Sequence, residues 1–336
     1  MLEQGYHQKR VLITGGLGMI GSSIAVRLAP LEADITILDA ELPMYGANSF
    51  NIETIRDQVR IVNLDIRDRH GLAQLDWNFD LIFNLAGQVS HNDSMKDPYL
   101  DTEINYLGQL NVLELVRARN PKARLFFSGS RLQFGKIDTV PVAEHQPQRP
   151  LTPYALNKSA AENLYLFYHR MYGIPVTIFR IANPYGPRGQ MKHSKYCIVN
   201  WFIRQAMEGK PITIFGDGSQ MRDYIYIDDL VEAIVRAMTT PGMEGEVFNV
   251  GSGAGTSFRD MVATVVDTVG TGSYHHVEWP ADYVNVETGD YISDITKLKR
   301  SFDWQPSISI EEGVRRTVDY YRNHGQHYFS LPAQSK

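Results

Sequence analysis

The sequence predicts an α/β protein built on a doubly wound parallel sheet, with a smaller lobe interleaved after it. Three observations carry that expectation. Short, almost continuously apolar runs recur through the first half of the chain, stretches of helical length separate them, and the first run passes straight into a glycine-rich turn. Runs of Val, Ile, Leu and Phe without polar alternation are what strands buried on both faces require. Strands alternating with helices then imply a parallel sheet covered on both sides.

The runs at 10–15, 33–40, 58–65, 79–87, 123–130 and 174–181 read as six strands, and the stretches near 18–30, 67–75, 97–119 and 151–172 as the helices between them. After Arg180 the texture changes. Residues 183–196 are loop-like, a helix and the short strand "PITIFGDG" follow, and 222–250 returns to compact apolar periodicity. Two more helices are expected near 256–269 and 310–322. We therefore expect a sheet domain of residues 1–181 with about 222–250, a lobe of about 182–221 with 251–325, and a tail at 326–336 that frays.

The chain has 336 residues, 43% of them hydrophobic, enough for a large domain with a satellite. Its net charge of −5 is mixed along the whole length, with none of the basic face that nucleic-acid binding wants. A single cysteine, Cys197, excludes an internal disulfide. No Cys/His cluster has zinc spacing, so no metal is expected, and the pair His275–His276 reads as solvated loop. Asn92-Asp93-Ser94 matches a glycosylation acceptor by chance. With no signal peptide at the start and no run of membrane-spanning length, the expected location is the cytoplasm and no membrane contact is foreseen.

The first strand ends in "TGGLGMIGS". Gly16, Gly18 and Gly21 satisfy G-x-G-x-x-G, and Gly15, Gly18 and Gly21 the looser G-x-x-G-x-x-G; Met19 and Ile20 lie between them. Such glycines permit a tight turn, close approach of backbone to a pyrophosphate, and a helix whose free N–H groups face the phosphates. Asp39 ends the second strand, where a carboxylate accepts from the adenosine ribose hydroxyls and repels a 2′-phosphate. Its neighbours Ala40 and Glu41 offer that phosphate no cation, so NAD is expected rather than NADP. The sheet domain is on this reading a Rossmann domain.

Downstream, "PYALNK" sets Tyr154 and Lys158 four apart on one helix face. A phenol serves as a base near neutrality only if its pKa falls from about 10 towards 7, roughly 4 kcal/mol. A neighbouring ammonium, together with the positive nicotinamide ring, supplies that stabilisation. Ser130, at the end of the fifth strand, orients a substrate hydroxyl for proton removal.

With these elements the chain resembles the extended short-chain dehydrogenase/reductases that modify nucleotide sugars, typified by UDP-galactose 4-epimerase. The resemblance runs from about Arg10 to Arg322 through "TGGLGMIG", "LDIRD", "NLAGQVS", "EINYLGQLNVLE", "FSGSRLQFG", "YALNK", "NPYGPR", "FGDGSQMRDYIYIDDL" and "FNVGSG", in the family's order. It implies that Ser130, Tyr154 and Lys158 are the catalytic triad. It sets Asp65 and Ile66 beside the adenine, and Leu85, Ala86 and Gly87 along the cofactor. It sets Ser90 and Asn183 on the sugar nucleotide, Arg222 on its diphosphate, and Val199, Ile214 and Phe215 in the base pocket. Lys192, His193 and Lys195 form a basic cluster ahead of that pocket, for phosphate or for solvent. A homodimer through the helices at 97–119 and 151–172 follows by the same analogy.

Two departures matter. Family members usually carry a second diphosphate arginine before the last helix, but residues 279–294 contain no Lys or Arg. The family's 4,6-dehydratases follow the catalytic hydroxyl with Asp-Glu, whereas this chain has Arg131-Leu132, which supplies neither the acid nor the base. The resemblance therefore implies oxidation at sugar C4 to a 4-keto intermediate and re-reduction on the opposite face, a UDP-sugar being the expected substrate. A uronate decarboxylase is the nearest rival, since a 4-keto uronate is a β-keto acid; a net reductase or dehydrogenase comes next, and a non-catalytic dinucleotide sensor is the reading from another class. Arg131 itself, at the carboxyl end of a central strand, needs a partner, because an unpaired buried guanidinium is costly. That partner is either an internal carboxylate or solvent, or an anionic substrate group such as a C6 carboxylate held bidentately.

Overall fold

A computed structural model describes residues 2–42, 44–284 and 286–329. Six strands fall on the apolar runs: β1 (Arg10–Thr14), β2 (Asp34–Asp39), β3 (Val59–Asn63), β4 (Leu81–Asn84), β5 (Arg124–Ser130) and β6 (Val176–Ile181). With Glu246–Val250 they form one parallel sheet, ordered Glu246–Val250, β6, β5, β4, β1, β2, β3. The chain winds outward from β1 to β3, then crosses back to β4 and winds the other way. The crevice left at that reversal, outside the carboxyl ends of β1 and β4, is where such sheets bind ligands.

Alternate strand residues feed two apolar layers. Val11, Ile13, Phe126 and Phe179 face one layer with the helices Met19–Leu28 and Ile227–Ala237; Leu12, Leu125, Phe127 and Ile178 face the other, with Gly108–Arg119 and Pro153–Tyr172. The first layer continues into the lobe, whose helices Ile198–Met207, Phe258–Val269 and Ile310–His324 share its core. Among the described residues, no helix is long and apolar enough to cross a membrane.

Five details depart from the sequence reading. β4 stops at Asn84, so residues 85–87 leave the sheet and turn into the crevice. The helix expected at 97–119 is interrupted by a π-helical turn, Glu103–Leu107, of the kind found at functional sites. A helix at His91–Lys96, too short to show apolar periodicity, was not foreseen. His275 and His276 lie not in a loop but in the exposed strand Ser273–Val277, paired with Pro211–Phe215. The expected tail is packed as far as Phe329: His327 stacks on Phe50 at 3.7 Å and Tyr328 donates to Asn51 Oδ1. Residues 330–336 of that tail lie outside the described residues.

One buried ion pair ties the elements around β5 together. Arg180, on β6, meets Glu162 of the Pro153–Tyr172 helix at 2.6 and 2.9 Å, both side chains nearly inaccessible. Gln133 and Gln148 also donate to that carboxylate, at 2.8 and 2.7 Å, and Gln133 Oε1 accepts from the Ser130 N–H at 2.7 Å. Removing one partner of such a pair strands a buried charge. Glu162→Ala is therefore expected to destabilise the fold by about 3–5 kcal/mol, measured by urea unfolding; a loss below about 1 kcal/mol would contradict this account.

Candidate active site

The crevice is a cleft of about 700 Å³ between the sheet's carboxyl edge and the lobe. Its inner end is the glycine turn. Gly15 has φ +65°, and a Cβ there would lie 2.9 Å from the Ala86 nitrogen. A Cβ on Gly21 would lie 2.5 Å from the Gly15 carbonyl oxygen. Only glycine lets the turn sit on the end of β4 and the helix close on the turn. The Met19–Leu28 helix has Gly18 as its N-cap, with no side chain bonded to its first N–H groups. Those groups are left for an anion. Thr14 Oγ1 accepts from the nitrogens of Leu85 and Ala86, both at 3.1 Å, and so fixes the floor of the turn.

Gly15, Gly18, Met19, Ile20, Gly21, Asp39, Asp65, Ile66, Leu85, Ala86 and Gly87 all line the cleft. The Asp39 carboxylate accepts from the Leu17 and Glu41 nitrogens at 3.0 and 2.9 Å. Burial raises its pKa against those two bonds. Asp65 is held by the Arg67 guanidinium at 2.7 Å. A turn without side chains, a helix N-terminus without a cap and a carboxylate at the end of β2 fit a dinucleotide: pyrophosphate at the glycines, ribose at Asp39, adenine beside Asp65 and Ile66.

Ser130, Tyr154 and Lys158 line the same cleft. Thr152 caps the Pro153–Tyr172 helix by accepting from Ala155 N–H, and Pro153 occupies its first turn. Tyr154 and Lys158 therefore project from the first two turns towards the end of β5. Ser130 Oγ accepts from Leu132 N–H at 3.2 Å, and its hydroxyl lies near enough to the Tyr154 phenol to lower the phenol's pKa. Burial pushes the Tyr154 pKa up to about 12, while Ser130 and the Arg131 charge pull the other way. Burial likewise lowers Lys158 to about 8, opposed by the charge of Asp101. The Lys158 ammonium donates to the Ser128 carbonyl at 3.0 Å and lies over the Phe127 ring.

On the lobe side, Asn183, Val199, Phe215, Arg131 and Arg222 line the cleft. Phe215 and Trp279 pack at 5.6 Å between ring centroids, an aromatic wall suited to a flat base. Two expected contacts are corrected. Ile214 lies on the buried face of Pro211–Phe215 and packs into the core, so that the alternation of the strand leaves Thr213 and Phe215 facing the cleft instead. Ser90 is fully buried as the N-cap of His91–Lys96, its hydroxyl accepting from Asp93 N–H, and its neighbours Val89 and His91 line the cleft in its place. Of the basic cluster only Lys195 reaches the cleft, and it is paired with Asp93 at 2.8 Å; His193 bonds the Met44 carbonyl.

Sequence reasoning missed Glu287, Tyr224 and His91. Glu287 lies in the stretch searched for a cation, and its carboxylate pairs with Arg222, which also donates to the Gly289 carbonyl at 2.8 Å. Tyr224 belongs to an apolar run that reads as core. His91, beside Arg131, is lowered to about 4 by burial and by that charge, and is neutral at pH 7.

One cleft thus holds a glycine turn that fits a dinucleotide together with Ser130, Tyr154 and Lys158. The sequence pattern of the NAD dependent epimerase/dehydratase family matches residues 11–251, and the chain belongs to that family, of the extended short-chain dehydrogenase/reductase type. UDP-glucose 4-epimerase of Mycolicibacterium smegmatis is 32% identical over 94% of this chain and 100% of its own. UDP-N-acetyl-alpha-D-glucosaminuronate decarboxylase of Bacillus cytotoxicus is 31% identical over 94% and 98%. The solved UDP-glucose 4-epimerase of Thermus thermophilus, in complex with NAD, superposes with a TM-score of 0.84 at 30% identity, covering 93% of this chain and 99% of that one.

The Asp39 carboxylate is expected to set cofactor choice. Asp39→Ala should weaken NAD roughly tenfold to a hundredfold, the worth of charge-assisted hydrogen bonds, and narrow the preference over NADP. The nucleotide released on denaturing the purified protein, and titrations of both cofactors, check this; equal affinity for NADP in the unaltered protein would refute it.

Proposed function

We propose that this chain is an NAD-dependent nucleotide-sugar 4-epimerase acting on a UDP-sugar. The observation that carries the reading is the meeting of Ser130, Tyr154 and Lys158 in one cleft with the glycine turn and Asp39, while Arg131 and Leu132 stand where a dehydratase needs an acid and a base. Bound NAD would accept the hydride from sugar C4 and give it back. The chain's own residues do the rest. Ser130 orients the C4 hydroxyl, and Tyr154 takes its proton as the C4–H bond breaks, leaving a 4-keto sugar. The same tyrosine returns the proton when the other face of the ketone is reduced. Lys158 holds positive charge beside the phenolate. In the unliganded cleft burial opposes that phenolate, so Lys158 and a cationic nicotinamide must together offset it.

In this reading Asn183 and Arg222 hold the diphosphate side of the substrate, the lobe of about 182–221 and 251–325 supplies the base pocket, and the protein works in the cytoplasm. It works as a homodimer. Tyr99, Leu107, Leu156, Phe167 and Met171 leave apolar side chains exposed on the helices expected to pair, and a monomeric mass by light scattering at micromolar concentration would count against that assembly. The decarboxylase reading is supported by the relative from B. cytotoxicus, since C4 oxidation of a uronate makes a β-keto acid. Incubating the protein with UDP-glucose and UDP-glucuronate and reading products by NMR separates the two: a C4 epimer supports the proposal, a pentose product the rival, and an unchanged panel neither.

Tyr154→Phe is expected to lower kcat by about 10²–10⁴ with little change in nucleotide-sugar affinity. Lys158→Met should shift the acid limb of the kcat–pH profile upward, because losing the ammonium makes the phenol harder to ionise. A Tyr154→Phe enzyme with near-normal turnover, or an unmoved acid limb, overturns the assignment.

A further inference from the structure

We infer that Arg131 anchors a second anionic group of the substrate, a carboxylate on the sugar, so that the enzyme acts on nucleotide-uronic acids in preference to neutral hexoses. This rests on the nucleotide-sugar reading and names its substrate class.

The hydrogen bonds of Arg131 go to neutral groups. Its Nε donates to Asn183 Oδ1 at 2.9 Å, one Nη donates to Thr288 Oγ1 at 3.2 Å, and the guanidinium lies over the Tyr291 ring at 5.5 Å. Among the described residues, no carboxylate forms an ion pair with it. The nearby Glu287 is taken by Arg222. Among the described residues, then, the internal carboxylate that one reading of the sequence expected does not bond it; the Glu287 charge acts on it only from beside Arg222. On the same wall, the Tyr224 hydroxyl is buried and has no hydrogen-bond partner, and Tyr224 lines the cleft with Arg131 and Arg222. A cation lacking an anion and a hydroxyl lacking an acceptor thus face one space. Each is costly to leave so, and a planar guanidinium fork matches a carboxylate.

Position distinguishes a sugar carboxylate from the diphosphate. Arg131 follows Ser130 directly in the chain. Its Nε bonds Asn183, whose Nδ2 donates at 2.8 Å to the carbonyl of Asp223, the neighbour of Arg222, so Arg131 links the Ser130 turn to the segment of the diphosphate arginine. With the diphosphate at Arg222 and C4 at Ser130, what lies against Arg131 is the sugar ring.

The test compares UDP-glucuronate, UDP-glucose and UDP itself, by kcat/KM for the sugars and by calorimetry for all three. Wild-type enzyme should favour UDP-glucuronate roughly tenfold to a hundredfold, as a charge-assisted hydrogen bond would give. Arg131→Leu should erase that gap, and Arg131→Lys should keep part of it. Tyr224→Phe should narrow it severalfold, which keeps the idea testable should Arg131→Leu fail to fold. Equal or better use of UDP-glucose by the wild type overturns the proposal. So does an Arg131→Leu variant that loses affinity for both sugars and for UDP by one common factor, which would make Arg131 a phosphate ligand. If UDP binds but the sugars do not differ, only this inference falls; if UDP does not bind, the nucleotide-sugar reading falls and takes it along.

Discussion

The Arg180–Glu162 pair is the joint on which the site depends. Arg180 stands on a central strand, Glu162 two turns along the helix that carries Tyr154 and Lys158, and Gln133 links the carboxylate to the Ser130 N–H. The β6 strand, the helix of Tyr154 and Lys158 and the turn after Ser130 therefore share one buried network. Its desolvation cost is offset because both Glu162 oxygens take two donors each and the Arg180 guanidinium also reaches the Glu144 carbonyl. A fully satisfied network of this kind restricts the elements to one arrangement. Catalysis by proton transfer needs that restriction, because the proton donor and acceptor must meet at hydrogen-bond distance.

The end of the cleft that holds Arg131, Lys158 and Arg222 is also short of negative charge. Arg131, Lys158 and Arg222 face it, and of the described carboxylates at that end only Glu287 answers, through Arg222. Burial lowers both Lys158 and Arg131, to about 8 and about 10, more than Asp101 offsets for the first and Glu287 for the second, and Arg222 adds to the lowering of Arg131. His91 is kept neutral by the same surroundings. On the proposed reading, the negative charges of the substrate would relieve these costs together. The inner end is built differently. There a backbone turn and a helix N-terminus present N–H groups, and the one carboxylate, Asp39, is fixed by backbone donors.

Much of this was legible in the sequence. Continuous apolar runs located six strands because strands buried on both faces tolerate little else, and the glycines of 15–21 announced a close backbone approach that a Cβ would block. Tyr154 and Lys158 were legible because helical spacing alone puts them on one face, and Asp39 because it ends a strand. Single residues in strands were harder. Ile214 and Phe215 are adjacent, and only the pleat decides which of them meets the cleft. Ser90 was equally opaque, since its hydroxyl serves either a ligand or a helix N-cap, and the unforeseen His91–Lys96 helix took it.

The sequence by itself determined the parallel sheet, the glycine turn and the helix face that Tyr154 and Lys158 share, since each follows from local patterns: hydrophobic runs, glycine geometry, helical periodicity. Only the tertiary structure decided the charge pairing of the cleft. Glu287 is 65 residues from Arg222 in the chain and Thr288 is 157 from Arg131. Whether a guanidinium meets a carboxylate or a neutral hydroxyl at such separations depends on how the lobe folds back over the sheet, and no local periodicity encodes that distance.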